Sequence, residues 1–162
     1  MINLKVLPIW GMEEEDCKDA LVISIVSPGM EHPKIKGTNI HKFFFHDITE
    51  EFFLENQNRI LTLLHIVRPM EKEIAESIVE IAIDNRGCDR WIIHCEAGVS
   101  RSPGVAIGLA KYFKVTPNER RLKELFPYYN KYVAKLVEEA LHRKMGEIFT
   151  NTYLDIRKEE KS

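Results

Sequence analysis

Cysteine is scarce in this sequence. Its 162 residues include three, Cys17, Cys88 and Cys95, and no two of them form a C-x-x-C pair. An odd number of cysteines without paired spacing argues against a disulfide framework and against a structural zinc site. We therefore expect reduced thiols in a cytoplasmic protein, with no bound metal and no other cofactor.

Long apolar runs and an excess of one charge are also missing. No apolar stretch is long enough to span a bilayer, and residues 1–8 lack the basic start and apolar run of a signal peptide. The net charge is -2, with acidic and basic residues mixed along the chain. These features predict that neither a membrane nor nucleic acid is a main partner.

Internal repeats and low-complexity segments are absent as well. Apolar residues make up 44% of the chain and charged residues 30%, which is ordinary for a globular protein. A chain of this length fits one domain. We expect residues 1–156 to form that domain and residues 157–162 to be a frayed tail.

The order of apolar segments predicts an α/β fold. Four short runs are typical of strands: 4–9, 20–26, 40–45 and 91–94. Four segments have helical patterns: 70–85, 102–114, 118–125 and 130–149. Alternation of this kind predicts a mostly parallel central sheet with helices on both faces. In the helix 102–114, Gly104 and Gly108 are expected to allow close packing on the sheet.

One segment contains the residues that indicate a catalytic function. Between the strand 91–94 and the next helix the chain reads His94-Cys95-Glu96-Ala97-Gly98-Val99-Ser100-Arg101-Ser102. In open α/β sheets ligands bind at the carboxyl ends of strands, where this segment lies. We expect a phosphate-binding loop made of Glu96, Ala97, Gly98, Val99, Ser100 and Arg101. The loop amides, the positive end of the helix and the guanidinium would all face a phosphate.

Cys95 is the predicted nucleophile. A helix N-terminus and a neighbouring cation favour the thiolate, which is the reactive form of cysteine. A thiolate can attack phosphorus directly and form a phosphocysteine intermediate, while Arg101 and the loop amides meet the charge on the phosphoryl group. Ser102 is expected to donate its hydroxyl to the thiolate, and His94 to orient the loop through hydrogen bonds.

The loop resembles the signature of the protein tyrosine phosphatase superfamily, His-Cys-x5-Arg-Ser/Thr. The likeness is greatest to dual-specificity phosphatases and to compact bacterial and phage tyrosine phosphatases, and it covers roughly residues 20–115. It implies a metal-independent hydrolase of phosphate monoesters with Cys95 as nucleophile and Arg101 as phosphate clamp. Because the variable loop positions hold no lysine or arginine, phosphotyrosine or mixed phosphoprotein substrates are favoured over phosphoinositides.

A phosphoester also needs a general acid to protonate its leaving oxygen. Asp84 and Asp89 flank the turn that enters the strand 91–94, at the wrong edge of the sheet. Asp47 follows the strand 40–45, at a carboxyl end, and the segment around it resembles the acid loop of the family. The alternative role of Asp47 is a helix cap, since Asp47 and Glu50 have the spacing of a capping box.

Two other functions use the same residues. A non-catalytic phosphate-binding module would be expected to have lost its nucleophile, whereas Cys95 is intact. A rhodanese-like or arsenate-reducing enzyme would use a similar thiolate, but the Arg101-Ser102 pair and the placement of Asp47 argue against it.

Two features stay open at the level of sequence. Residues 56–69 are either a lid or substrate loop, or a plain surface insertion. Cys88 is either an ordinary turn cysteine or the partner of Cys95 in a protective disulfide under oxidation.

Overall fold

Five strands form one parallel sheet in a computed structural model that describes residues 1–161. The strands are β1 (Ile2–Leu7), β2 (Leu21–Val26), β3 (Ile40–Phe44), β4 (Arg90–His94) and β5 (Val115–Thr116). Their order across the sheet is β3-β2-β4-β1-β5. The predicted α/β class with a parallel sheet is therefore confirmed.

Six α-helices accompany the sheet within the described residues. They are α1 (Glu50–Glu55), α2 (Ile60–Leu63), α3 (Lys72–Asp84), α4 (Arg101–Ala110), α5 (Glu119–Leu125) and α6 (Lys131–Lys161). Short 3-10 turns occur at Ile9–Gly11 and Gln57–Arg59.

The strand β2 lies at the centre of the fold. All six of its residues are buried, and it pairs with β3 on one side and β4 on the other. A continuous β-branched run suits this position because both faces of the strand are covered. Side chains alternate between the faces, so Ile23 and Ile25 enter the larger core while Val22 enters a smaller one.

The two faces of the sheet are covered differently. Buried residues of α3, α4, α5 and α6 all belong to the larger core on one face. The opposite face is covered by Met12, Cys17, Ala20 and Ile35, which lie in turns and loops. The expectation of helices on both faces is thus corrected, because an irregular segment supplies enough apolar side chains to close the second face. Cys17 is fully buried there.

The helix α4 packs closely against α6 at its two glycines. A Cβ at Gly104 would lie 2.7 Å from the Asn130 carbonyl oxygen, and one at Gly108 would lie 2.8 Å from the Val137 Cβ. These glycines therefore permit close approach to the helix α6. The prediction that they pack on the sheet is wrong.

The final helix is longer than its sequence pattern predicts. α6 runs for 31 residues to Lys161. Residues 157–161 of the predicted frayed tail 157–162 are therefore helical, and Ser162 lies outside the described residues. No proline interrupts it, and Arg157 pairs with Glu160 one turn away at 3.1 Å. Within residues 1–161, no helix combines the length and the apolar character needed to cross a membrane.

Candidate active site

The carboxyl edge of the sheet gathers four chain segments. Because β1, β2, β3 and β4 are parallel neighbours, the residues that follow each of them emerge at the same edge. These are Pro8 after β1, Ser27 after β2, the segment 45–47 after β3 and the loop 95–100 after β4. Residues far apart in sequence therefore meet around Cys95.

Cys95 is buried at the end of β4. Its sulfur accepts a hydrogen bond from Ser102 Oγ at 3.0 Å and another from the Gly98 amide at 3.3 Å. The cysteine is a free thiol with 1% of its surface exposed. Two donors aimed at one sulfur stabilise negative charge on it, which is the condition for a reactive thiolate.

The loop is shaped by a glycine and by the end of β1. Gly98 has φ of +74°, and a Cβ there would lie 2.7 Å from the Pro8 nitrogen. The Ile9 amide donates to the Glu96 carbonyl oxygen at 3.0 Å. The loop thus leans on the β1 end, where only glycine fits at position 98. Ala97 and Val99 are exposed on its outer side.

Arg101 is held rigidly in the first turn of α4. It is 5% exposed, and its NH1 group donates to Ser27 Oγ at 3.1 Å and to the Phe45 carbonyl oxygen at 2.8 Å. Its NH2 group forms an ion pair with the Glu96 carboxylate. Ser27 Oγ donates in turn to Glu96 at 3.0 Å. The guanidinium is therefore preorganised before any anion binds.

The side chain of Glu96 has a role that sequence reasoning missed. Burial raises its pKa, but the hydrogen bond and charge of Arg101, together with the Ser27 hydroxyl, outweigh burial and leave the pKa below its ordinary value. Glu96 is thus an ionised partner of Arg101 and not only a backbone contributor to the loop. An acidic residue directly after the nucleophile was the signal in the sequence.

Asp47 is linked to the loop by its own carboxylate. The exposed side chain accepts hydrogen bonds at Oδ1 from Ser100 Oγ at 2.7 Å and from Asn130 Nδ2 at 2.8 Å. The N-cap of α1 is Thr49, which accepts from the Phe52 amide. The helix-cap alternative for Asp47 is therefore wrong.

Asn130 is a further site residue that the sequence analysis did not single out. It is 1% exposed, and its side-chain amide also donates to the Ile48 carbonyl oxygen at 2.9 Å. Its Oδ1 accepts from the Val133 amide at 3.0 Å, which caps α6, and its backbone amide donates to the Ser100 carbonyl oxygen. Asparagine before a helix is a recognisable cap signal, but the cap alone does not reveal the contact to Asp47.

The other two candidate aspartates, Asp84 and Asp89, lie with Cys88 at the opposite edge of the sheet. The Asp89 carbonyl accepts from the Asn3 amide where β1 and β4 begin, and Asp84 ends α3 nearby in the chain. Cys88 Sγ lies 3.3 Å from the Arg90 carbonyl oxygen. The whole of β4 separates Cys88 from Cys95, a distance of about 20 Å at the rise of a strand. A disulfide needs its Cα atoms within about 7 Å, so the Cys88–Cys95 pairing does not fit this fold.

His94 is fully buried behind the loop. Its Nδ1 lies 3.1 Å from the Cys95 carbonyl oxygen, and its Nε2 lies within hydrogen-bonding distance of Ser24 Oγ. Burial lowers the pKa of His94; the bond to the Cys95 carbonyl opposes this, and the charge of Arg101 adds to it. The neutral ring thus contacts the loop backbone at Cys95. Its role in orienting the loop stays a prediction.

The segment 56–69 returns to His46, the residue that precedes Asp47. It contains the second 3-10 turn and α2, and Leu61 and Ile66 are largely exposed. Its end is tied to His46, whose Nδ1 accepts from the Arg68 amide at 2.8 Å. The end of the segment is therefore held beside the residue that precedes Asp47. Whether the segment acts as a lid or substrate loop stays a prediction.

Comparison with known proteins produced no match among protein-family models, curated proteins or solved structures. Function is therefore inferred from the chemistry of this site.

Proposed function

We propose that this protein is a metal-independent phosphoric monoester hydrolase of the protein tyrosine phosphatase superfamily, acting through a phosphocysteine on Cys95. One observation carries the proposal: the Cys95 sulfur accepts hydrogen bonds from the Gly98 amide in the loop and from Ser102 in the first turn of α4, and the buried Arg101 is the first residue of that helix. A thiolate that is stabilised by these donors beside a guanidinium is suited to attack a phosphate that the guanidinium binds.

The first step transfers the phosphoryl group to sulfur. The Cys95 thiolate attacks phosphorus, an S–P bond forms and the P–O bond to the leaving group breaks. Asp47 gives its proton to the leaving oxygen. The loop amides and Arg101 stabilise charge on the equatorial oxygens. The tether of Asp47 to Ser100 supports this role because it keeps the acid beside the loop.

The second step releases phosphate. The Asp47 carboxylate removes a proton from water, the water oxygen attacks phosphorus and the S–P bond breaks. Sulfur leaves as a thiolate, and the Ser102 hydroxyl at 3.0 Å stabilises it as it forms. The cycle then ends with Asp47 protonated, ready for the next leaving group.

The substrates we infer are phosphotyrosine or mixed phosphoprotein residues, together with small aryl phosphates. The loop side chains exposed to solvent, Ala97 and Val99, carry no positive charge that would select a polyphosphorylated headgroup. Three free cysteines suit a reducing, cytoplasmic setting.

The test is hydrolysis of p-nitrophenyl phosphate by the full chain, with and without a chelator. We expect activity that the chelator leaves unchanged, and its loss in Cys95→Ser. Arg101→Lys keeps the positive charge but not the planar fork, so its kcat/KM should fall by about 10²-fold or more. Cys88→Ser is the matched control, because this cysteine lies at the far edge of the sheet, and it should retain full rate.

Two outcomes would contradict the proposal and indicate a different function. Stabilisation by phosphate without any hydrolysis would indicate a binding module. Thiol-dependent reduction of arsenate without phosphatase activity would indicate a reductase. Rapid acid quenching followed by mass spectrometry of the Cys95 peptide adds a direct readout, since a phosphocysteine should accumulate in Asp47→Asn.

A further inference from the structure

A row of buried polar groups runs from the loop into the sheet. Ser24 sits in the middle of β2 and is fully buried. Its Oγ lies 2.6 Å from His32 Nδ1 and within hydrogen-bonding distance of His94 Nε2. His94 Nδ1 in turn reaches the Cys95 carbonyl oxygen at 3.1 Å. Four residues from three segments of the chain are thus joined in one sequence of contacts.

The direction of each hydrogen bond follows from the end at Cys95. A carbonyl oxygen only accepts, so His94 Nδ1 carries a proton. The ring is neutral, since burial, with help from Arg101, lowers its pKa against the opposing bond to the carbonyl. His94 Nε2 is then bare and accepts from the Ser24 hydroxyl. The Ser24 oxygen is left to accept from His32 Nδ1–H.

The other end of the row agrees with this direction. His32 is neutral because burial, followed by the charge of Lys42 and the nearby His94, lowers its pKa to about 4. With its proton on Nδ1, its Nε2 is a bare acceptor. His32 Nε2 is buried and has no hydrogen-bond partner among residues 1–161. A buried acceptor is more often left unpaired than a buried N–H group, so the orphan atom fits a lone pair.

We propose that Ser24 and His32 are positioning residues that hold His94 in one tautomer and, through it, turn the Cys95 carbonyl toward the His94 ring. The physical reason lies in the loop, where amides must face an anion and carbonyls must not. Because the Ser24 hydroxyl donates a hydrogen bond to His94 Nε2, the proton of the neutral His94 ring must be on Nδ1. The Cys95 carbonyl oxygen therefore always has a donor. The rings of Phe44 and His32 pack in a T-shaped contact, with centroids 4.6 Å apart, which holds the His32 ring in place.

The tautomer is measurable without any assay of function. In the ¹⁵N-labelled full chain at pH 7, long-range ¹H–¹⁵N correlation spectra separate protonated from bare ring nitrogens. We expect a protonated Nδ1 and a bare Nε2 in both His94 and His32, with His32→Gln used for assignment. A proton on Nε2 of either ring, or a charged His94, would overturn the proposal.

The catalytic consequence rests on the proposed function and needs a matched pair of variants. Ser24→Thr and Ser24→Val have the same shape, but only threonine keeps the hydroxyl. We expect the valine variant to populate a mixture of His94 tautomers and to lose about tenfold or more in kcat/KM, with threonine restoring both. Equal loss in the two variants would mean that the site responds to volume alone, and an unchanged valine variant would show that the hydroxyl is not needed.

The two proposals fail separately. If the unmodified chain hydrolyses no phosphate ester, the proposed function is lost while the spectra still decide the tautomer. If the chain is active and its His94 carries the proton on Nε2, the positioning role is lost and the phosphatase proposal stands.

Discussion

The side-chain amide of Asn130 donates a hydrogen bond to Asp47 Oδ1 at 2.8 Å, between residues 83 positions apart. This bond ties the segment after β3 to the residue that caps the N-terminus of α6. The same oxygen accepts from Ser100, whereas Asp47 Oδ2 has no hydrogen bond within residues 1–161. One oxygen of the carboxyl group is thus anchored, and the other is open to exchange a proton in the proposed reaction.

Asn130→Ala should impair proton donation by Asp47. Without the anchor the carboxyl group loses its fixed orientation, and we expect kcat to fall by about tenfold or more, within the 10²- to 10⁴-fold that general acids supply. The loss should be larger for phenyl phosphate than for p-nitrophenyl phosphate, because a poor leaving group depends more on protonation. Steady-state kinetics with both esters measures the difference.

Asn118→Ala is the control for that experiment. Asn118 caps α5 by accepting from the Arg121 amide at 2.9 Å, as Asn130 caps α6, but it has no contact with Asp47. Both variants should lose about 0.5 to 2 kcal/mol in the free energy of unfolding through the lost cap. A leaving-group effect in both, or in neither, would contradict the anchoring role.

Glu96→Gln should make the free protein less stable and more responsive to phosphate. The substitution removes the negative partner of a buried guanidinium, at a cost of about 1.5 to 3 kcal/mol in the free energy of unfolding. Inorganic phosphate supplies the missing charge, so it should raise Tm more in the variant than in the original chain. Glu124→Gln removes an exposed pairing partner of Arg120 and should change neither quantity. Equal phosphate responses in the two variants would refute this prediction.

Gly98→Ala should lower the free energy of unfolding by more than the unfavourable backbone conformation alone would. Gly29 provides the comparison, since its φ of +87° is similar but nothing lies within 4 Å of a Cβ there. Urea denaturation should show a loss of about 1 to 2 kcal/mol for Gly29→Ala. Gly98→Ala should lose at least about 1 kcal/mol more, because its Cβ meets the backbone of Pro8. If the two losses are the same, the β1 end does not shape the loop.

The stability of the protein should depend on pH through His32. Its pKa is about 4 in the folded chain against an ordinary value of 6.5. Between these values the unfolded chain binds a proton that the folded chain does not, so the free energy of unfolding falls as the pH falls from 6.5 toward 4. The buried His94, whose pKa is also lowered, acts in the same direction.

His32→Gln removes this contribution. Its Tm should therefore decline less than that of the original chain between pH 7 and pH 4.5, as measured by calorimetry. His142→Gln, which replaces an exposed histidine on α6, controls for the change of residue type. A decline as steep in His32→Gln as in the original chain would show that the His32 ring is not the titrating group.

Sequence reasoning was most successful where the evidence is contiguous in the chain. The strand β4, the loop and α4 follow one another directly, so the pattern around Cys95 predicts their order without any long-range contact. The parallel sheet follows in the same way from alternating apolar runs. The sequence also indicates that Asp47 lies at a different edge of the sheet from Asp84 and Asp89. In a parallel sheet, residues that follow a strand lie at one edge and residues that precede a strand lie at the other.

The errors concern which segments meet. The sequence analysis expected helices on both faces, and glycines of α4 packed on the sheet. In the structure, turns cover the second face and those glycines face α6. The periodicity of apolar residues indicates that one face of a helix or strand is apolar. It does not indicate which other element packs on that face.

The sequence by itself determined the parallel α/β fold class and the loop that begins at Cys95, because both depend on local patterns of hydrogen bonding and burial. The tertiary structure alone decided that Asn130 holds Asp47, that Glu96 and Ser27 hold Arg101, and that Ser24 joins His32 to His94. These contacts depend on strand order and side-chain direction across the sheet. Neither property can be read from the spacing of residues along the chain.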